Sequence, residues 1–193
     1  MSLIEKVRAV EALFSELDEQ IRLFQMQSSL ACKTRCGQCC LRPDVQATIL
    51  EFLPLAHYLL ETDQAADWYD RLEEDTPAIC VVINPFQNQR GLCGQYTHRG
   101  LICRLFGYST RRNKYGQKEL ITCQTIKTEQ KEKLANAMTL LSEGGDVPVA
   151  SAYYTRLRAI DDALARDLYP INVAIRKALE TVLNYHIYRR KCV

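Results

Sequence analysis

Cys32-Lys-Thr-Arg-Cys36-Gly-Gln-Cys39-Cys40 places four thiols within nine residues. Short Cys-x(2–4)-Cys loops bring sulfurs close enough to share one metal ion or one iron–sulfur cluster through local chain alone. Five more cysteines follow: Cys80, Cys93, Cys103, Cys123 and Cys192. Cys192, close to the C-terminus, reads as a free thiol. The ligand pool is therefore Cys32, Cys36, Cys39, Cys40, Cys80, Cys93, Cys103 and Cys123. The last four are separated by 12, 9 and 19 residues. Eight thiols suffice for two four-sulfur sites, one such site with spare thiols, or a binuclear site with shared sulfurs. Cys39 and Cys40 are adjacent, and successive side chains diverge in extended chain, so there they are expected to serve different sites or roles, an argument that helical geometry relaxes. Four thiolates hold zinc or an iron–sulfur cluster equally well, and the bound species stays open between the two.

Outward from the cluster, residues 3–26 read as a helix. Val7, Val10, Phe14, Leu17, Ile21 and Phe24 recur at alternating three and four, with Ser2 as N-cap. The stripe is read as packing on its own domain in preference to a dimerising coiled coil, because three heptads are near the minimum for one. Thr48-Ile-Leu-Glu51 has the spacing of a capping box and opens an apolar run to Leu60, in which Pro54 predicts a kink or a late helix start. Residues 61–75 carry seven Asp/Glu against Arg71 alone and read as a solvated helix around Trp68 and Tyr69.

Between Cys80 and Cys123 the periodicity fails. Turn signals at Asn84-Pro, Arg90-Gly, Cys93-Gly, Arg99-Gly and Tyr115-Gly separate two short strand candidates, Cys80-Val-Val-Ile-Asn and Glu119-Leu-Ile-Thr. A polar, loop-rich stretch of this kind buries little apolar area, and a metal staple would supply the missing order. Helical patterning returns over 129–142, then with Tyr153, Leu157, Ile160, Leu164 and Leu168, and again with Ile171, Ile175, Leu179, Val182, His186 and Ile187. Asp-Leu-Tyr-Pro170 connects the last two.

The chain has 193 residues, 47% hydrophobic, with a formal charge of +2. That is enough for a core and too little net charge to argue for nucleic acid or a membrane. No run of about 18 apolar residues exists for a transmembrane helix, and the N-terminus lacks a signal-peptide apolar region. A cytoplasmic setting is expected, where cysteine clusters bind metal more often than they form disulfides. Residues 104–133 hold eight Lys/Arg against three Glu, with Tyr108 and Tyr115 among them. A solvated basic loop offsetting thiolate charge is preferred there to nucleic-acid contact. His98, between two cysteines, is a hydrogen-bonding histidine first and a substitute ligand second. Arg104, beside Cys103, is expected either to support a thiolate or to bridge to a carboxylate.

The Cys32-x3-Cys36-x2-Cys39 spacing also occurs in radical S-adenosylmethionine enzymes, but nothing after residue 40 resembles the successive β-α units of their partial barrel. A closer match lies elsewhere. Cys32-x3-Cys36-Gly-Gln-Cys39-Cys40 resembles the opening signature of the CxxCxxCC, or YkgJ-like, cysteine-cluster family. Gly91-Leu-Cys93-Gly-Gln-Tyr96-Thr-His-Arg99-Gly-Leu-Ile-Cys103-Arg104 resembles that family's second block, and Cys80 and Cys123 fall where further family cysteines are expected. The likeness spans roughly residues 30–125. It departs at the first gap, three residues instead of two, and at Gly100, where proline is usual. It implies zinc or iron chelation. One relative, the flagellin lysine methylase, is an enzyme, although no S-adenosylmethionine-binding glycine loop follows a strand here.

The expected fold is mainly α, with helices clasping a cysteine-rich, loop-rich metal-binding centre and minor short β-strands. A single domain is expected over residues 1–193: an N-terminal helix (1–28), a cysteine-cluster core (29–125) and C-terminal helices (126–193). The expected function is a cytosolic metal-binding protein holding an iron–sulfur cluster or zinc in a structural or electron-transfer role. The alternative is an enzyme, redox or methyl-transferring, with the cluster at its active site, which would show an open position beside a pocket lined by Arg99, Arg104 and Tyr96. No catalytic residue is assigned. The expected partner is the metal, without membrane or nucleic acid. A protein partner docking on the terminal helices would require an exposed apolar stripe on 7–24 or 171–187.

Overall fold

The computed structural model describes residues 1–32, 36–74, 78–84 and 92–191. Cys192 lies outside them, as do Lys33 and Arg35. The N-terminal helix α1 (Leu3–Ser28) begins with a full capping box between Ser2 and Glu5 and ends at Ser29 in a left-handed conformation. Every residue of the predicted stripe is buried, and Leu3 and Leu13 join it. Each such side chain contributes roughly 1.5–3 kcal/mol of burial. The stripe is covered from within the chain, by α2 (Leu53–Glu61), α6 (Lys131–Ser142) and α7 (Ala150–Ile160).

The run opened by Thr48 starts late, as Pro54 predicts. Leu50–Phe52 forms one 3-10 turn, and α2 follows with Pro54 in its first turn, where no N–H is missed. α3 (Ala65–Glu74) carries the acidic stretch but is only partly solvated: Ala65 and Leu72 are buried, and the helix packs on α9 (Ile171–Lys191). α9 also packs on α2, and its apolar positions from Ile171 to Val182 are buried.

The segment with no visible period is more ordered than its sequence indicates. It holds α4 (Leu101–Leu105), too short to display a repeat, with Leu101 and Leu105 buried. The strands β4 (Ser109–Arg112) and β5 (Lys118–Ile121) form an antiparallel hairpin pairing Ser109 with Ile121 and Arg112 with Lys118. The stretch read as a basic loop therefore contains a hairpin, followed by α5 (Gln124–Glu129) and the start of α6. The expected strand after Cys80 is reduced to β2 (Ile83–Asn84), which pairs with β3 (Leu92–Cys93). A third pair joins β1 (Gln46–Ala47) to β6 (Tyr169–Pro170), tying the connection before α9 to the chain just after the cysteine cluster. All three sheets among the described residues are two-stranded and antiparallel.

The C-terminal helices divide more finely than the apolar pattern suggests. α5 (Gln124–Glu129) and α6 meet at Gln130. The single helix expected through Leu168 is broken at Asp161, whose carboxylate accepts from Leu164 N–H at 3.0 Å to start α8 (Asp162–Ala165) and pairs with Lys6 at 2.5 Å. Leu168 is left exposed in the following loop. No helix among the described residues is long and apolar enough to cross a membrane.

Candidate metal centre

Cys39 and Cys40 lie in a 3-10 turn (Gln38–Leu41) that follows Gly37 in a left-handed conformation. The turn, not an extended segment, sets their geometry. The divergence argued for an extended segment therefore does not apply to them. Interaction between the two neighbouring thiols draws Cys39 down and pushes Cys40 up.

Main-chain bonds bring the dispersed cysteines to this turn. Cys80 N–H donates to the Cys40 carbonyl at 3.1 Å. Gly94 N–H donates to the Val82 carbonyl at 2.8 Å, setting Cys93 beside the Cys80 segment. Cys103 stands on α4, whose N-terminus is capped by Glu51: Oε2 accepts from Ile102 N–H at 2.8 Å, while Oε1 accepts from Thr48 N–H at 2.7 Å. Glu51 thus completes the capping box expected with Thr48 and spends its second oxygen on the helix that carries Cys103. Gly100 precedes α4, and a Cβ there would lie 2.8 Å from the Phe52 ring and 2.9 Å from Glu51 Oε2.

Cys39, Cys40, Cys80, Cys93 and Cys103 line one small cavity of about 60 Å³, closed by Phe52, Leu55, Val82 and Ile171. Tyr96, His98 and Arg99 complete its wall. Cys123 is not in that wall; its sulfur caps α5 by accepting from Ile126 N–H at 3.4 Å. Cys32 is electrostatically coupled to Cys36, Cys39 and Cys123. Cys39 is the thiol common to both groups. Among the described residues, no three His, Cys, Asp or Glu side chains converge closely enough to hold a metal ion as they stand.

Burial raises the Cys80 and Cys32 thiols to about 11 and pushes Cys103 well above the ordinary thiol value. Cys103 keeps partial exposure only because it faces open cavity. Neighbouring thiols add to each rise, since two thiolates repel in a low-dielectric site. A bound cation reverses that balance by stabilising thiolate outright. Among the described residues, Arg99 supplies positive charge that lowers Cys32, Cys39 and Cys93. Its guanidinium stacks over Tyr96 at 4.1 Å, and its Nε is buried with no hydrogen-bond partner among the described residues. Five thiols around one small apolar-walled space, beside an orphaned cationic donor, fit a thiolate-bound metal or cluster.

Arg104 takes the carboxylate option and does not support a sulfur. It pairs with Asp18, donates to the carbonyls of Arg99 (3.1 Å) and Thr97 (2.6 Å), and stacks on Phe14 at 4.6 Å. It pins the turn bearing His98 and Arg99 against α1. His98 stacks on Tyr58 at 4.2 Å and meets Thr97 Oγ1 at 3.2 Å. Burial lowers its pKa, which favours neutral imidazole.

Three positioning residues had no sequence signal. Asn172 brackets Cys80, with Oδ1 accepting from Val81 N–H at 2.8 Å and Nδ2 donating to the Ile79 carbonyl at 2.7 Å. Gln130 brackets Ala31 in the same way, at 3.4 and 2.6 Å. The buried Tyr108 hydroxyl accepts from Cys32 N–H.

No curated protein and no solved structure matches the chain. Residues 31–136, a little over half of it, match one family model, and that span begins just before the first clustered thiol and encloses all eight. The chain therefore belongs to the CxxCxxCC family, described as a "putative zinc- or iron-chelating domain".

Proposed function

We propose that the chain is a cytoplasmic metal-binding protein whose eight cysteines, Cys32 to Cys123, form the ligand pool for an iron–sulfur cluster or zinc. The observation that carries this reading is the meeting of Cys39, Cys40, Cys80, Cys93 and Cys103 on one small cavity beside Arg99. Cys123 lines a larger cavity together with Cys39, and Cys32 feels Cys36, Cys39 and Cys123 as neighbouring thiols, which supports including all three in the pool. When bound, the metal supplies charge neutralisation and a covalent staple. The chain's own residues hold the sulfurs at hand: Asn172 and Cys40 by the main chain around Cys80, Glu51 by the cap on α4, Tyr108 by the N–H of Cys32. The three sequence segments act as one unit around this centre.

A second reading, an enzyme with the centre at its active site, is favoured by one observation. Cys39, Cys40, Cys80 and Cys103 also line a far larger cavity on their other side. A purely structural site needs no such opening. Arg104 is turned away from it, so the pocket differs from the one expected beside Arg99, Arg104 and Tyr96.

Anaerobic purification with elemental analysis and an absorption spectrum tests the proposal. A brown protein absorbing near about 400 nm identifies iron–sulfur, and a colourless one with stoichiometric zinc identifies the other species. Cys80→Ser and Cys103→Ser are each expected to lower metal per chain. Full metal content in both variants would overturn the ligand assignment.

A further inference from the structure

The wall formed by Cys39, Cys40, Cys80 and Cys103 has a second face, and the space beyond it measures about 880 Å³. That falls within the roughly 300–1,000 Å³ of pockets for small organic ligands and far exceeds what a metal needs. Its sides are apolar: Val45, Ile102, Phe106, Tyr154, Leu168 and Ile171. Phe106 is 38% and Leu168 54% exposed, so large apolar side chains stand uncovered where they face this space.

The charge at the mouth is unbalanced. Arg158 and Arg166 both line the cavity and both pair with the single carboxylate of Asp162, at 2.7 Å for Arg158. Asp167 also acts on Arg166, but neither it nor Asp162 lines the cavity, whose charged lining is Arg42, Arg158 and Arg166 against Asp44. Asp162 is reached through Nε and Nη2 of each, so their Nη1 donors stay unused among the described residues. Arg42 is matched by Asp44 at 3.1 Å and adds no net charge. At the inner end, Tyr154 lines the cavity together with Cys103.

From this arrangement we infer that the cavity is a binding site for a small organic anion with an apolar body. Its carboxylate, sulfonate or phosphate-ester end meets Arg158 and Arg166, and its body lies between Phe106, Leu168 and Ile171 with the inner end directed at the thiol wall. Arg158, Arg166, Leu168 and Ile171 fall outside the span matched by the family model, whereas Phe106 and the thiols fall inside it. The contact with the anionic end therefore lies beyond the family's span. The inference rests on the proposed metal centre only for what the ligand's inner end would meet.

Two fluorescent probes of like shape test it on the full chain as purified: the anion 8-anilinonaphthalene-1-sulfonate and neutral N-phenyl-1-naphthylamine. The anion is expected to bind one per chain and about tenfold or more tighter than the neutral probe. Arg158→Gln with Arg166→Gln is expected to erase that preference and leave the neutral probe unchanged. Ala165→Trp should fill the cavity and weaken both. Leu168 is half exposed, so Leu168→Glu should fold and should repel the anion selectively. Equal affinity for the two probes, an anion affinity unchanged by the double arginine variant, or no binding of either at about 1 mM would overturn the inference. Metal per chain, measured on the same samples, separates the two readings: selective probe binding without metal supports the cavity assignment while refuting the metal centre.

Discussion

The main chain of Cys80 is tied to that of Cys40, N–H to carbonyl, at 3.1 Å. Two parts of the chain that carry thiols are therefore joined independently of any sulfur contact. Side chains of other residues add to this tie, and their hydrogen bonds can be removed without touching a cysteine.

Asn172 is the sharpest case. Asn172→Ala leaves the Ile79 carbonyl and the Val81 N–H without their carboxamide partner. Each unsatisfied buried group costs about 1–3 kcal/mol, so a loss of about 2–4 kcal/mol is expected in urea unfolding. Metal retention during dialysis against a chelator should fall as well, although every sulfur is present. Wild-type retention would show that Cys80 needs no bracket.

Glu51 predicts a pH dependence. Burial raises its carboxyl from 4.5 to about 7, against the pull of the Ile102 and Thr48 hydrogen bonds. Between those values the folded chain holds a proton that the unfolded chain has released, so stability falls as pH rises. The contribution is whole below about 4.5 and is lost above about 7, a span worth about 3 kcal/mol. Glu51→Gln removes the titration. The gap between the two urea-stability profiles should therefore change steadily from pH 4.5 to 8, in the variant's favour; parallel profiles would refute the assignment.

Gly100 should tolerate no side chain. A methyl group 2.8 Å from Phe52 and 2.9 Å from Glu51 Oε2 forces α4 away from the turn that caps it. Gly100→Ala is expected to cost about 1–3 kcal/mol. Thermal melting gives the comparison, and an unshifted midpoint would mean that α4 moves freely.

Arg104 and Asp18 should not be equivalent partners. Arg104 is 6% exposed and also holds the Thr97 and Arg99 carbonyls, whereas Asp18 is 44% exposed. Arg104→Ala is expected to cost about 2–4 kcal/mol, against about 1 kcal/mol or less for Asp18→Ala. Equal losses would place all of the effect in the ion pair.

The long helices were legible because their periods run for several turns: the stripe from Val7 to Phe24 gives α1, and Ile171 to Val182 gives most of α9. The late start of α2 was legible from Pro54. What escaped was short or remote. α4 has five residues, and β1 and β6 two each, below any readable repeat. The break at Asp161 was hidden because the apolar pattern continues to Leu164, while the cap that starts α8 depends on one carboxylate. The thiols could be named from sequence, yet their grouping could not, because Cys39 and Cys40 lie in a 3-10 turn, to which the geometry of extended chain does not apply. Glu51 was visible as a local cap, but its second oxygen acts 51 residues away, on Ile102. Asn172 sits in an apolar stripe, where nothing distinguishes a clamp from a packing position.

The order in which the chain is made gives the Asn172 bracket one further consequence. All eight thiols leave the ribosome before residues 169–172, which supply both the β6 strand and the carboxamide beside Cys80. At translation rates of about 5–20 residues per second, the interval between Cys123 and Asn172 lasts several seconds. During that interval the cysteines are synthesised but their last support is not. For that time Cys80 lacks the bracket that Asn172 provides, and the bracket becomes possible only once the first residues of α9 have been made.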